Sequence, residues 1–221
     1  MLTPFQLRAR NALADCPVFG ELSDSSLRCM IRASLRKGDT LFERGEASDS
    51  LYGVVSGRAK LYAEHASGRQ ISFGLVGPGE LIGELGISSD EPRHASVVAL
   101  AHCELARIRR DDLERLVERH PDLHAALSRA SAAAALRLSQ RIEDAALLSI
   151  EDQVERALVD CARRFGERIE DGVSVSLRQQ DLADLIGASR ESVSRVLTST
   201  SIRERVRLGR GWIVILDAGT R

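Results

Sequence analysis

Glycine is unevenly spread along this chain, and that spread limits what the chain can fold into. Ten of its 17 glycines fall between Gly38 and Gly86, and none lies between Arg109 and Phe165. Glycine supplies the positive φ that tight turns need and weakens a helix by about 1 kcal/mol per residue. A turn-punctuated segment is therefore followed by a helical one. Between the early glycines run "LYGVVSG", "RAKLYAE" and "QISFGLVG", where apolar and polar residues partly alternate, and "ASVVALAHCELARI" continues the pattern to Ile108. Several short strands with regular turn signals predict an antiparallel barrel or sandwich.

From Arg109 the pattern changes. Pro121 sits where a helix can begin, and Asp122 suits the positive end of its dipole. Apolar residues at 123, 127, 130, 134 and 138 recur in three- and four-residue steps, which predicts a long helix from about Pro121 to about Leu148. Ala133, Ala134 and Ala135 let a second helix approach closely. A helix longer than a small barrel can cover is a natural dimer seam; the alternative is packing on its own domain. "SIEDQVERALVDCARRFG" reads as an amphipathic helix ending at Gly166, with Gly166 as its C-cap.

The C-terminal segment has helix–turn–helix grammar. Ser176 and Gln179 fit a capping box, Leu182, Ala183, Leu185 and Ile186 an inward face, and Gly187 the turn. Ser189 caps a second helix anchored by Val193 and Val196. A plain helical hairpin is the alternative. At about 100° per residue, Arg190, Glu191, Ser194 and Arg195 share a face near the N-terminal end of that helix, the end that enters the major groove in this motif. Arginine donates to guanine O6 and N7, and glutamate accepts from cytosine N4. "VRLGRGWIVIL" reads as a β wing carrying Arg210 towards a phosphate.

Composition bounds the function. The formal net charge is -1, which excludes a globally basic nucleic-acid binder. From Ser176 onward eight basic residues face five acidic ones, a local +3 that leaves -4 for the remainder. Cys16, Cys29, Cys103 and Cys161 are scattered with no C-x-x-C pair, so reduced thiols are expected rather than an iron–sulfur site. No apolar stretch approaches the ~20 residues of a membrane span, and no secretory h-region opens the chain, so a cytoplasmic protein without a membrane partner is expected. His65, His94, His102, His120 and His124 form no H-x-H cluster, and no catalytic triad is legible, which argues against an enzyme such as a metal-dependent cupin.

One stretch remains, "GELGISSDEPRHASV" at 83–97, in which Glu84 precedes Arg93 by nine residues. A guanidinium suits a phosphate, a carboxylate suits a hydroxyl, and a surface ion pair is the plain alternative. With "LIGELG", "PRHASV" and "ASRESVSRVL" in this order, nearly the whole chain resembles the family of the catabolite activator protein and the fumarate–nitrate regulator. The resemblance implies an α+β chain: an N-terminal antiparallel, jelly-roll-like β-roll over 1–120 that binds a cyclic nucleotide, a dimerisation helix over 121–149, and a winged helix–turn–helix over 150–221. It implies that Glu84 binds the ribose 2′-hydroxyl and Arg93 the cyclic phosphate, with Gly83 and Leu85 offering amides. Arg93, His94 and Ala95 occupy the family's Arg-Ser-Ala or Arg-Thr-Ala positions. His94 departs from the pattern; it either donates to the phosphate or points elsewhere. Leu138-Ser139 stands where cyclic-AMP receptors carry a Thr-Ser pair, leaving Ser139 as the base-reading hydroxyl. The run "TSTSIRERVRL" also departs from the family, with Thr200, Glu204 and Arg205 at unusual places, and is expected to alter the end of the recognition helix.

The resemblance thus implies a homodimeric bacterial transcription regulator, no enzyme and without a cofactor, controlled allosterically by cyclic AMP first and cyclic GMP next. Its DNA residues would be Ser189, Arg190, Glu191, Ser194, Arg195 and Arg210, its site a TGTGA-like palindrome in double-stranded DNA, and its further partner RNA polymerase. A family member that takes a cyclic di-nucleotide, or no ligand, is the alternative.

Overall fold

Helix α1 (Pro4–Ala12) opens the chain, held by a reciprocal cap in which Thr3 Oγ1 accepts from Gln6 N and Gln6 Oε1 from Thr3 N. Strands follow as β1 (Ile31–Leu35), β2 (Thr40–Phe42), β3 (Ser50–Ser56), β4 (Ala59–Glu64), β5 (Gln70–Val76), β6 (Leu81–Ile82), β7 (Ser96–Ala99) and β8 (Cys103–Arg109). A short helix, α2 (Glu84–Ser89), lies between β6 and β7. The computed structural model describes residues 1–68 and 70–217. Backbone packing divides them into two units, Met1–Ala63 with Phe73–Leu138, and Glu64–Ser72 with the chain from Ser139.

The strands form two four-stranded sheets, ordered β1-β8-β3-β6 and β2-β7-β4-β5. Their registered pairings are antiparallel, as the turn-rich pattern predicts. Strand β3 is buried on both faces, which explains its nearly unbroken apolar run. Alternation sends Tyr52 and Val54 into the core of the roll with Phe42, Val97 and Leu105. It sends Leu51 and Val55 the other way, into a helical core with Ala9, Leu13, Phe19 and Leu123. Gly53 faces this second core, where a Cβ would lie 2.8 Å from Leu13 Cδ1 and 3.0 Å from Phe19 Cε2. That β-strand glycine is required by close packing rather than by a turn.

Two helices complete the first unit. Helix α3 (Arg110–Arg119) buries Leu113 and Leu116 and was not separable from the sequence pattern. Helix α4 (Asp122–Leu147) matches the predicted long helix, and its buried stripe is Leu123, Ala126, Leu127, Ala130 and Ala134. The division between the units falls within α4. Further along, Leu136, Ile142 and Leu147 are 71%, 72% and 75% exposed.

The second unit begins with α5 (Ile150–Phe165), whose Ser149 cap accepts from Asp152 N. Gly166 follows with φ -77°, so the expected left-handed cap is not formed. Glycine is needed there because a Cβ would lie 2.2 Å from Val173 Cγ1. Next come β9 (Glu167–Ile169), β10 (Gly172–Val175), α6 (Gln179–Ile186), α7 (Arg190–Leu197), α8 (Thr200–Arg203), β11 (Val206–Gly209) and β12 (Trp212–Leu216). The sheet order is β11-β12-β10-β9, and α5 packs on α6, α7 and β10. This is a winged helix–turn–helix.

Two local expectations need correction. Ser176 does not cap α6. The helix starts at Gln179, and buried Asp181 accepts from Arg178 N, Nε and Nη2 at 3.3, 2.8 and 2.8 Å. A carboxylate that satisfies three donors outcompetes a hydroxyl further back. The main apolar anchors of α7 are Val193 and Leu197, while Val196 is half-buried.

Candidate functional site

The first candidate site is built around the β6–α2 junction and Arg93. Gly83 has φ +94°, a left-handed conformation that turns the chain from β6 into α2. It is also pressed against Arg93, since a Cβ at residue 83 would fall 2.2 Å from Arg93 Nη1. Gly86 leaves similar room for Ser48, whose Oγ donates to Glu91 O at 2.7 Å. Arg110 ties the same loop together: its Nη2 donates to Ser48 O at 2.9 Å, and its Nη1 pairs with Asp90 at 3.2 Å.

Arg93 is only 3% exposed. Its backbone is pinned to the turn at Gly45, with Arg93 N donating to Glu46 O and Gly45 N to Arg93 O, each at 2.8 Å. The guanidinium lies 4.1 Å from the Phe42 ring centroid and 5.8 Å from that of Tyr52. Nη2 donates to Ser50 O at 2.7 Å and faces Asp49 at 3.6 Å. Nε and Nη1 are buried and have no hydrogen-bond acceptor among the described residues. Burial lowers the affinity of this guanidinium for its proton, while Tyr52 and Asp49 oppose the shift. A buried N–H without an acceptor costs about 1–3 kcal/mol. The fold therefore holds two nitrogens of one cation ready for an acceptor that the described residues do not supply.

Glu84 is 7% exposed. Burial raises its carboxyl pKa, and the backbone N–H of Glu84, the charge of Arg137 and the N–H of Gly83 pull it back. Leu85 is half-buried and Ala95 buried. His94 keeps much of its surface exposed, with its ring 6.1 Å from that of Phe73. Partial desolvation, then the charges of Arg44 and Arg93, hold the imidazole below its ordinary pKa. Gly83, Glu84, Leu85, Arg93, His94 and Ala95 all belong to the first unit, and Gly83 and Arg93 are in direct apposition. Ser139 is exposed and belongs to the second unit.

Sequence reasoning missed Asp49, Arg107, Arg110 and Arg137. Arg107 holds Asp49 at 2.9 Å and Ser50 Oγ at 2.7 Å, bracing the main chain that anchors Arg93. A single charged residue, whether in a loop, a strand or a helix, carries no periodic signal that would have singled it out. A separate cavity of about 370 Å³ is lined by Asp49, Asp90, Glu91 and Asp111 with Arg109 and Arg110. Its excess of carboxylates makes it unsuited to an anion.

The second candidate site is the α6–α7 pair. Gly187 has φ +68° at the turn, and Ser189 Oγ accepts from Ser192 N at 3.1 Å. Arg190, Glu191 and Arg195 are exposed and Ser194 is half-buried. The carboxyl pKa of Glu191 is lowered by its own backbone N–H and then by the Ser189 hydroxyl, so it is a firm anion at neutral pH. Arg210 is exposed in the two-residue turn between β11 and β12, where Gly211 has φ +89°. The odd 198–206 run forms its own short helix. α7 ends at Leu197, and Ile202 of α8 is buried.

These two sites have counterparts among known proteins. Residues 32–120 match the cyclic nucleotide-binding domain, and residues 152–219 match the Crp-like helix-turn-helix domain. The chain is 32% identical over 199 residues to the Cyclic AMP receptor protein of Thermus thermophilus, spanning 88% of each. The chain belongs to the CRP/FNR family. It is a CRP/FNR transcription regulator with a cyclic nucleotide-binding domain and a DNA-binding helix-turn-helix. Another CRP relative, the cAMP-activated global transcriptional regulator of Escherichia coli O6:H1, is 30% identical over 125 residues, 55% of this chain and 58% of that one. The c-di-GMP responsive regulator CLP of Xanthomonas campestris shares the fold, with a TM-score of 0.76 at 23% identity over 89% of this chain and 100% of that chain. FixK2 of Bradyrhizobium japonicum does so with 0.74 at 20% identity, over 87% and 99%.

Proposed function

We propose that this CRP/FNR regulator binds a 3′,5′-cyclic purine nucleotide at Arg93 and Glu84 and, as a dimer, reads a TGTGA-like palindrome. The observation that carries the ligand is the pair of buried, acceptor-free N–H groups on Arg93. A cyclic phosphate offers two unesterified oxygens with one negative charge, which matches a guanidinium with two free N–H groups. Beside it the buried Glu84 carboxylate supplies the acceptor that a ribose hydroxyl needs, and His94 lies next to Arg93 as a second donor. The name of the Thermus thermophilus relative supports a cyclic nucleotide as the effector.

Three observations support the rest. The exposed Leu136, Ile142 and Leu147 of α4 favour burial against a second copy. Arg190, Glu191 and Arg195 are exposed on α7, with Arg190 and Arg195 suited to guanines and Glu191 to a cytosine. Arg210 stands at the tip of the wing, where a phosphate would meet it. Ligand binding acts allosterically only by favouring the state competent for DNA. Calorimetry with cyclic AMP and cyclic GMP on wild type and Arg93→Ala tests the ligand. Saturable binding that is lost in Arg93→Ala supports it, and equal binding by the two proteins overturns it.

A further inference from the structure

The stripe by which α4 packs on the first unit does not stop at its last buried residue. It runs through Leu123, Leu127, Ala130 and Ala134, all buried. The next positions at three- and four-residue spacing are Arg137 and half-buried Leu138. The register against α2 is set by Ser131 Oγ donating to Ser88 Oγ at 3.2 Å. From that contact, Arg137 lies about 9 Å further along α4, and Glu84 one turn back along α2. The charge of Arg137 acts directly on the buried Glu84 carboxylate. Arg137 is thus a cation of α4 whose charge reaches Glu84, six residues along α4 from the contact that ties α4 to α2.

The chemistry of a cyclic nucleotide says what lies at that end. The phosphate bridges C3′ and C5′, while the 2′-hydroxyl and the base occupy adjacent carbons at the other end of the ribose. With the phosphate on Arg93 and the 2′-hydroxyl on Glu84, the base springs from the carbon next to the one that Glu84 holds. Arg137 and Leu138 are the next α4 side chains beyond buried Ala134. Arginine only donates, and leucine does neither. Guanine carries an acceptor oxygen at C6, where adenine carries an amino donor.

We infer that Arg137 is the residue that reads the base, and that it selects a purine with an oxygen at C6, so the pocket prefers cyclic GMP to cyclic AMP. This rests on the reading of Arg93 and Glu84 as the phosphate and ribose contacts. Leu138 reinforces the choice, because it offers no acceptor to the adenine amino group. Arg137 itself is exposed, so replacing it leaves the packing of α4 intact.

Calorimetric titration with cyclic GMP, cyclic IMP and cyclic AMP separates the possibilities. Cyclic IMP has the C6 oxygen of guanine without its 2-amino group. For wild type, cyclic GMP and cyclic IMP are each expected to bind about tenfold or more tightly than cyclic AMP, the range of one good side-chain–base pair. Arg137→Ala should bring the three nucleotides within about threefold of one another. Arg137→Gln should shift preference towards cyclic AMP, because an amide both donates and accepts. Wild type that binds cyclic AMP as tightly as cyclic GMP overturns the inference while leaving the Arg93 reading in place. So does Arg137→Ala that weakens all three equally, since Arg137 would then only neutralise Glu84. Wild type that binds none of the three overturns both.

Discussion

Arg93 lies directly over the backbone of Gly83, so that a Cβ on residue 83 would fall 2.2 Å from Nη1 of its guanidinium. One glycine thus serves two ends. It adopts the left-handed φ that starts α2, and it leaves the space in which the Arg93 guanidinium is held.

Gly83→Ala is accordingly expected to lose on both counts. The left-handed backbone costs a non-glycine residue about 1–3 kcal/mol. The added methyl also displaces Arg93 from its site between Phe42 and Ser50. Urea unfolding should give a lower midpoint with an unchanged slope, and calorimetry should give a nucleotide affinity at least tenfold weaker. A variant that binds as tightly as wild type would separate the glycine from the site.

Glu84→Gln should stabilise the free protein and weaken its ligand affinity. The folded pKa of Glu84 is raised chiefly by burial. Between its ordinary value, about 4.3, and that raised value the folded state binds more protons than the unfolded one. The contribution of Glu84 to stability therefore falls as pH rises through that window. The neutral amide has no such dependence. Thermal melts from pH 4 to 8 should show the variant melting higher than wild type at neutral pH. The gap should close towards pH 4.

His94 is expected to make ligand affinity depend on pH. Desolvation, Arg44 and Arg93 hold its pKa down in the free protein. A phosphate beside the ring would raise that pKa, so binding would take up a proton and strengthen as pH falls from about 8 to 5.5. His94→Ser should keep most of the affinity at pH 8 and lose the pH dependence. A flat profile for wild type would place the ring outside the contact.

Much of this fold is legible in the sequence, for reasons that individual residues make clear. The long helix, predicted from about Pro121 to about Leu148, runs from Asp122 to Leu147, because a proline start and a three-four apolar stripe are local signals. Gly187 and the turn at Arg210–Gly211 are equally local, since only a left-handed backbone explains glycine there. Ser176 misleads because a capping box can be written from sequence, whereas competition by Asp181 depends on where Arg178 sits. The pocket is partly legible. Glu84 and Arg93 stand in a recognisable pattern, but Arg107 and Asp49 brace the pocket from elements distant in sequence. Arg137 looks like an ordinary solvated charge until α4 is laid against α2.

In the second unit Arg141 of α4 joins two main-chain segments. Its Nη1 donates to Ser72 O at 2.9 Å and its Nη2 to Leu185 O at 3.2 Å, the latter near the C-terminal end of α6. Burial lowers its pKa, so the cation is held at some cost and needs these carbonyls. Arg141→Ala should destabilise this unit by about 2 kcal/mol, the range for hydrogen bonds to a charged group. Hydrogen exchange should quicken at 70–72 and at the end of α6. Unchanged exchange at both would show that the two bonds contribute nothing.

On the DNA side, Arg190→Ala and Arg195→Ala should each weaken binding about tenfold and relax preference at one base pair. Arg210→Ala should weaken all sequences alike and lower the salt slope by about one. Glu191→Ala should lose discrimination at the cytosine while non-specific affinity rises, because a carboxylate beside phosphates is repelled. Selection from random DNA reads the changes in preference, and titrations at several salt concentrations read the affinities and the salt slope. An unchanged preferred site for Glu191→Ala would remove that residue from base reading.

The control of DNA binding by the Arg93 pocket is tested most directly by fluorescence anisotropy on a labelled TGTGA palindrome, at fixed salt, with and without cyclic nucleotide. Wild type should bind the palindrome at least tenfold more tightly when cyclic GMP is present, and Arg93→Ala should bind equally with and without it. Wild type whose affinity is the same in both conditions, or Arg93→Ala that still responds, would contradict the account.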